Sequence, residues 1–391
     1  METAGINIRH LEAVHAIVQQ GSVTAAARQI NLTQPAITQG VAKLEALIGM
    51  PLFERRPGGM APTPAGALFA PRAAAALRLI GRRHVTATQI HAFLALARQG
   101  SYAAAAAETG LSQASLHRAV GDLALNLEQR LVERRGKGVA LTARGLAVAR
   151  NFRLANAELS AALSEIAALQ GREAGRIVVG AMPLCRARLL PATVAGFHAR
   201  HPEVDIAVVE GSHAELVGPL RDGEIDMTIG ALRFPPPGPD VAQLPLFEDR
   251  PVIVGRAGHP LARAGRAMQP SDLALYPWIV AGGGTPLRRQ WEAMFAGVGL
   301  DPPRVPIESG SVMMVRQMMM SSDFLTLLSI DQVAVELEAG WLVKIGEAPG
   351  DVRRIIGVTT RADWRPTALQ QGFVDMLAEQ GRAITAERDY S

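Results

Sequence analysis

Residues 11–68 recur as residues 90–147. The offset is a constant 79 positions with no gap, and 20 of the 58 aligned positions are identical. A repeat of this kind means that one structural unit is built twice, so the fold of one copy constrains the other. The matches include Gln20-Gly21-Ser22 with Gln99-Gly100-Ser101, Leu32 and Gln34 with Leu111 and Gln113, and Val41 and Leu44 with Val120 and Leu123. They continue through Glu54-Arg55-Arg56 with Glu133-Arg134-Arg135, Thr63 with Thr142 and Gly66 with Gly145. Alanine-rich composition inflates such counts, so Ala25–Ala27 against Ala104–Ala106 carries little weight. The Gly, Gln, Arg and Thr matches do not suffer from that discount.

The pattern inside one copy identifies the unit. Ile8, Leu11, Val14 and Val18 stand at helical spacing, and Gly21 ends that helix. Ser22 caps a short second helix over 24–30, and Asn31-Leu32 makes a tight turn. Thr33 caps a third helix, with Pro35 in its first turn, where a missing N–H costs nothing. Ile37, Val41, Leu44 and Ile48 form the buried stripe of that helix, so Gln34, Thr38, Gln39 and Lys43 face outward. Pro51-Leu52-Phe53-Glu54-Arg55-Arg56, a Gly-Gly pair and Thr63-Pro64-Ala65-Gly66 read as a β-hairpin wing leading into another helix. Two short helices, a tight turn, a third helix with a polar outer face and a wing describe a winged helix-turn-helix.

Charge follows the same division. The whole chain of 391 residues has a formal charge of +4. Residues 1–150 hold 17 Lys and Arg against 8 Asp and Glu, a net of +9, and residues 151–391 hold 23 against 28, a net of −5. A basic front half suits a polyanion, and an acidic rear half implies a separate task. The lone cysteine, Cys185, has no partner for an internal disulfide, and no Cys/His spacing resembles a metal site. No apolar run is long enough to cross a membrane, and the amino-terminal residues lack the basic-then-apolar pattern of a signal peptide. These features predict a cytoplasmic protein with no cofactor, no metal, no membrane association and no catalytic residues.

The first copy, with Gly21-Ser22-Val23-Thr24-Ala25-Ala26-Ala27, Leu32-Thr33-Gln34-Pro35-Ala36-Ile37-Thr38, Lys43-Leu44-Glu45 and Leu52-Phe53-Glu54-Arg55, resembles the amino-terminal domain of LysR-type transcriptional regulators. Members of that family usually have an arginine where this chain has Gln39, and often a basic residue at the position of Ala42. The second copy lacks the proline, with Ala114 in its place, but Arg118 supplies the arginine missing at Gln39. His117 stands for Thr38, and Asp122 stands for Lys43, where a carboxylate would repel phosphate.

For the first copy the resemblance implies DNA contact by Ser22, Thr33, Gln34, Pro35, Thr38, Gln39, Lys43, Arg55 and Arg56. For the second it implies Gln113, His117, Arg118, Arg134, Arg135 and Lys137. Glutamine has the amide geometry for adenine, threonine can touch a thymine methyl, and wing arginines suit phosphate or the minor groove. Three readings of the second copy stand: DNA contact by both copies, a degenerate structural copy, or a carrier of dimer contacts. The outer faces favour DNA contact by both, with the first as principal reader.

From Gly145 to Gln170 a heptad puts Phe152, Leu159 and Ile166 at one core position and Val148, Ala155, Ala162 and Leu169 at the other. It resembles the family's linker helix, which pairs two subunits, so Phe152, Leu159 and Ile166 are the predicted dimerisation residues of a homodimer or tetramer. Residues 63–83 read as a shorter helix that spaces the two copies.

After Gly171–Gly175, seven strand-like runs from 176–180 to 355–359 alternate with six helical runs from 189–200 to 366–379, an α/β pattern. Gly175-Arg176-Ile177-Val178-Val179-Gly180, His201-Pro202, Leu220–Asp226 and Gly258-His259-Pro260-Leu261 are similar to the effector domain of the same regulators. That implies two lobes with a ligand cleft, as in periplasmic binding proteins.

The expected fold class is therefore multidomain α and α/β: two tandem winged helix-turn-helix modules, a long linker helix and a two-lobed, periplasmic-binding-protein-like α/β effector domain. The expected divisions are 1–84 and 85–144 for the modules, 145–171 for the linker and 172–391 for the effector domain. Lobe 1 is expected at about 172–255 and 347–391, lobe 2 at about 256–346. The resemblance places the effector at Met182, Cys185, Ser212, His213, Arg233, Thr285 and Pro286. Its implied partners are double-stranded operator DNA, a small-molecule effector and RNA polymerase. The competing classes are a bilobal solute-binding protein or enzyme, and an architectural dimer that does not read sequence.

Overall fold

The computed structural model describes residues 5–57, 59–81, 84–136 and 138–389. The first module comprises α1 (Ile8–Gln20), α2 (Val23–Gln29), α3 (Gln34–Ile48), a wing of β1 (Phe53–Arg56) and β2 (Gly59–Pro62), and α4 (Pro64–Ile80). The second comprises α5 (Ala87–Gln99), α6 (Tyr102–Thr109), α7 (Gln113–Leu127), β3 (Val132–Arg135), β4 (Gly138–Leu141) and α8 (Ala143–Leu169).

The offset of 79 holds atom by atom at the joints. Ser22 and Ser101 cap α2 and α6 through the backbone N–H three residues on. Thr33 and Ser112 do the same for α3 and α7, and Thr63 and Thr142 for α4 and α8. The hydroxyls of Thr63 and Thr142 also donate to Pro51 O and Arg130 O, both at 2.7 Å. The matched glycines have a steric reason. A Cβ on Gly66 would stand 2.0 Å from Leu52 O, and one on Gly145 would stand 2.0 Å from Leu131 O. Only glycine lets each wing close onto the helix that follows it.

Both modules share one apolar core. It runs from Leu11, Ile37 and Leu44 through Phe69, Ala73 and Ala76 of α4 to Phe152, Leu159 and Ile166 of α8. Here the structure corrects the sequence. Phe152, Leu159 and Ile166 are fully buried within the chain, packed among residues of α4 and α5, with Phe152 edge-on to Phe93 at 6.2 Å. They do not face a second subunit. Leu169, expected in the same seam, is 46% exposed. The heptad identified which residues are buried, and the chain supplies the partner itself. Likewise, α4 is no mere spacer: it packs along α8.

The rear domain has two lobes. The first holds β5 (Gly175–Ala181), α9 (Leu189–Arg200), β6 (Val204–Glu210), α10 (His213–Arg221), β7 (Met227–Ala231) and β8 (Val241–Asp249). The second holds β9 (Val252–Arg256), α11 (Pro260–Arg263), α12 (Pro270–Leu273), β10 (Ile279–Val280), α13 (Pro286–Ala296), β11 (Ile307–Glu308), α14 (Val312–Met320), β12 (Thr326–Leu328), α15 (Ala334–Glu338) and β13 (Leu342–Glu347). The chain then returns to the first lobe with β14 (Arg354–Arg361) and α16 (Ala368–Asp389).

The first sheet has the order β6-β5-β7-β14-β8, and the second β12-β9-β13. Because β9 pairs with β12 and β13, the first crossover lies at Arg250-Pro251 rather than near Gly255. Three strands escaped the pattern, β8, β11 and β13, and all are sheet edges. Pro245 interrupts the β8 sequence, and the register shifts opposite it between Ile356 and Gly357. An edge strand tolerates a proline at such an irregularity.

The first lobe leans on α8. Arg153 reaches Asp222 at 2.8 Å and Glu224 at 2.7 Å. Arg365 reaches Glu158 at 2.6 Å.

Candidate nucleic-acid interface and effector cleft

The outer face of α3 is open. Gln34, Pro35, Thr38, Gln39 and Lys43 are exposed, while Ile37, Val41 and Leu44 are buried beneath them. The Gln34 carbonyl side-chain oxygen accepts from the Thr24 hydroxyl at 3.3 Å, which leaves its amide donors outward. The Thr38 hydroxyl donates to Gln34 O at 3.0 Å, which presents its methyl group. Ser22 and Thr33 spend their hydroxyls on the caps of α2 and α3, so they hold those helices rather than offer a free side-chain oxygen.

The outer face of α7 is equally open at Gln113, His117, Arg118 and Asp122. It differs in detail. The His117 ring stacks on Tyr102 at 3.5 Å, whereas the corresponding pair in the first module is Thr38 and Val23. Arg118 has no ion-pair partner among the described residues. In the first wing Arg56 is tied to Glu54 at 2.8 Å, with Arg55 exposed beside it. In the second, Arg134 and Arg135 are both exposed. Lys137, expected in this wing, lies outside the described residues.

A cavity of about 910 Å³ opens between the two lobes of the rear domain. His213, Ala231–Arg233, Phe234, Glu248 and Arg353–Ile355 come from the first lobe and its crossovers, and Pro286, Arg289, Gln290 and Ala293 come from α13. Gln290 bridges the lobes by donating to Arg353 O at 2.6 Å. The Arg233 backbone is clamped by Gln243, which accepts from Arg233 N–H at 2.9 Å and donates to its carbonyl at 3.0 Å. The Arg233 side-chain Nε is buried with no hydrogen-bond partner among the described residues. Burial, together with the like charge of Arg289, holds the Arg233 guanidinium below its ordinary pKa. Burial first, then Arg233 and Arg221, pushes His213 down as well, which favours its neutral ring. Arg354 is held by Asp249 at 2.7 Å, and Arg353 by Asp351 at 3.0 Å. Arg233 and Arg289 have no carboxylate partner among the described residues.

Of the seven predicted effector residues, His213, Arg233 and Pro286 stand in the cavity wall. Four do not. Met182 and Cys185 are buried in the first lobe, Met182 against Gly230 and Cys185 with its thiol donating to Met182 O and Ile229 O. Burial pushes the Cys185 thiol up to about 12, the opposite of a reactive thiolate. Ser212 caps α10 in a capping box with Glu215, and Thr285 caps α13. Arg289 and Gln290 went unpredicted, although the sequence carried a signal: Pro286, Arg289, Gln290 and Ala293 share one face of a helix at i, i+3, i+4 and i+7. Arg353 and Arg354 had no local signal, since they reach the cavity only through the return crossover. Among the described residues no cluster of His, Cys, Asp and Glu could hold a metal ion, and no helix is long and apolar enough to cross a membrane.

Comparison with known proteins identifies both kinds of domain. The profile described as "LysR substrate binding domain" matches residues 170–382. That of "Bacterial regulatory helix-turn-helix protein, lysR family" matches twice, at 8–67 and 87–146. The HTH-type transcriptional regulator GalR of Pseudomonas putida is 30% identical over 369 residues, covering 91% of this chain and 92% of the relative. A match of that length takes in both modules. The SDS degradation transcriptional activation protein of a Pseudomonas species is 30% identical over 277 residues, 70% of this chain and 89% of the relative.

Among solved structures, full-length OxyR from Pseudomonas aeruginosa has a TM-score of 0.58 at 23% identity, covering 77% of this chain and 96% of that one. Full-length CbnR complexed with its target DNA has a TM-score of 0.54 at 20% identity, covering 76% and 98%. These two share the fold. The relatives are transcriptional regulators rather than enzymes or transporters. The chain therefore belongs to the LysR family of DNA-binding transcriptional regulators, with the helix-turn-helix in duplicate ahead of a carboxy-terminal effector-binding domain.

Proposed function

We propose that the effector is a small organic anion, held between Arg233 and Arg289 in the interlobe cavity. The observation that carries this reading is a buried, unpartnered Arg233 Nε beside a second arginine that no carboxylate neutralises. A carboxylate would accept from both guanidiniums and relieve their mutual repulsion, and an uncharged sugar would not. Binding across the lobes draws α13 toward the first lobe, and the first lobe is tied to α8 through Arg153. An effector with different affinity for the open and closed arrangements thereby changes the geometry of the reading helices. The first module reads base edges through Gln34, Thr38 and Gln39, with Lys43, Arg55 and Arg56 toward phosphate. The second contributes Gln113, Arg118, Arg134 and Arg135. RNA polymerase is the partner that the altered DNA geometry serves.

Thermal shift of the full-length protein against a panel of small carboxylic acids and neutral sugars tests the cavity. At 100 times its Kd, a ligand of the folded state adds about 2.7 kcal/mol. The expected result is a rise with at least one acid, lost in Arg233→Ala and Arg289→Ala. A rise with sugars that survives both substitutions contradicts the anionic reading.

A further inference from the structure

We infer that one chain is a complete two-headed DNA reader. The α4–α8 pair makes an internal pseudo-dimer that presents α3 and α7 to two half-sites of different sequence. This rests on the DNA-reading assignment above and goes beyond it in stoichiometry and in the asymmetry of the operator.

The two long helices are equivalent elements. Each starts from a capping threonine, Thr63 or Thr142, followed by the glycine that its wing requires. They run antiparallel. Arg72 of α4 meets Glu165 at 2.8 and 2.7 Å and Glu158 at 3.2 Å, while Leu79, further along α4, lies with Leu154, earlier on α8, around one hollow. Two equivalent helices packed antiparallel are what a twofold axis generates.

The contacts at their ends are reciprocal. Gln170, just past α8, donates to Gly49 O, just past α3, at 3.2 Å. Asn126, in the last turn of α7, donates to His84 O, shortly after α4, at 2.9 Å. Each reading helix is thus braced by the end of the other module's long helix. The residues are not equivalent under the offset of 79, so the exchange is one of elements: each module's long helix reaches the other module's third helix, as elements do across an isologous interface. Here it is closed within one chain, and one continuous core fills it.

The symmetry is approximate where it matters for function. The position equivalent to Arg72 is Asn151, and α4 stops at Ile80 where α8 continues to Leu169. The reading faces differ too, with Gln39 opposite Arg118 and Lys43 opposite Asp122. Paired helix-turn-helix units contact half-sites about one helical turn apart. Glutamine pairs with adenine, and arginine with guanine. The operator is therefore expected to carry two non-identical half-motifs, with guanine in the second at the position where the first has adenine.

Selection of bound duplexes from a random library with the full-length protein tests this, followed by native mass spectrometry on the selected duplex. The expected result is two unlike half-motifs per bound chain, about one turn apart. Arg118→Gln should shift the second half-motif toward adenine with about a tenfold change in preference, and Gln39→Arg should shift the first toward guanine. Both side chains are exposed, and a thermal melt checks that the variants fold. A palindromic motif with one half-motif per chain, indifferent to Arg118→Gln, overturns the pseudo-dimer while leaving DNA reading intact. No enriched motif at all overturns the DNA reading and the pseudo-dimer with it.

Discussion

The two modules differ from each other where they meet solvent and agree where they hold themselves together. Four joints are repeated: Ser22 and Ser101, Thr33 and Ser112, Thr63 and Thr142, Gly66 and Gly145. The outer faces have parted, with Thr38 against His117, Gln39 against Arg118 and Lys43 against Asp122. A degenerate copy should lose its caps and its exposed cations together. This one kept its N-terminal caps and gained Arg118, so its scaffold is intact and its outer face has changed.

Breaking the seam between the modules has the largest expected effect. Arg72 is buried with Glu158 and Glu165 around it. Arg72→Ala strands the largely buried carboxylate of Glu165 and leaves Glu158 with Arg365 alone, and losing one member of such a group costs about 3–5 kcal/mol. Denaturant unfolding measures it. A loss under 1 kcal/mol would mean that the two long helices hold together without that triad.

The next effect probes sameness. Gly66→Ala and Gly145→Ala each force a methyl against a carbonyl oxygen, and overpacking of this kind costs roughly 1–3 kcal/mol, occasionally more. The two should match within experimental error. A large cost in one module alone would mean that the other has stopped folding as a winged unit.

Smaller effects probe difference. Lys43→Ala should reduce the slope of log affinity against log salt by about 1. Asp122→Lys should steepen it by about the same amount if α7 lies on DNA. A flat response to Asp122→Lys with a clear response to Lys43→Ala would confine contact to the first module.

The smallest expected effect lies outside both modules. With its thiol pushed up to about 12 and buried, Cys185 should resist alkylation at pH 8 in the native protein and react fully once unfolded. Rapid stoichiometric labelling of the native protein would reverse its assignment to the lobe core.

The modules were legible in the sequence because their determinants are local. Caps, a turn at Asn31 and a stripe of Ile37, Val41, Leu44 and Ile48 lie within one or two helical turns of what they control. The seam was only half legible. A heptad says that Phe152, Leu159 and Ile166 are buried, and says nothing of whether a neighbouring chain or α4 does the burying. The cavity was the least legible. Arg233 and Arg289 meet from different lobes, and Arg353 and Arg354 arrive over a crossover more than a hundred residues beyond β7. Ser212, Thr285 and Cys185 looked suited to a ligand by position, and each is occupied by its own backbone.

The central claim is that both modules touch DNA. Hydroxyl-radical footprinting on the selected operator tests it most directly, comparing the native protein with a variant carrying Arg118→Ala, Arg134→Ala and Arg135→Ala. Protection of both half-sites by the native protein, with the second alone lost in the variant, is the predicted result. An unchanged footprint and affinity would contradict it and reduce the second module to a structural carrier of α8.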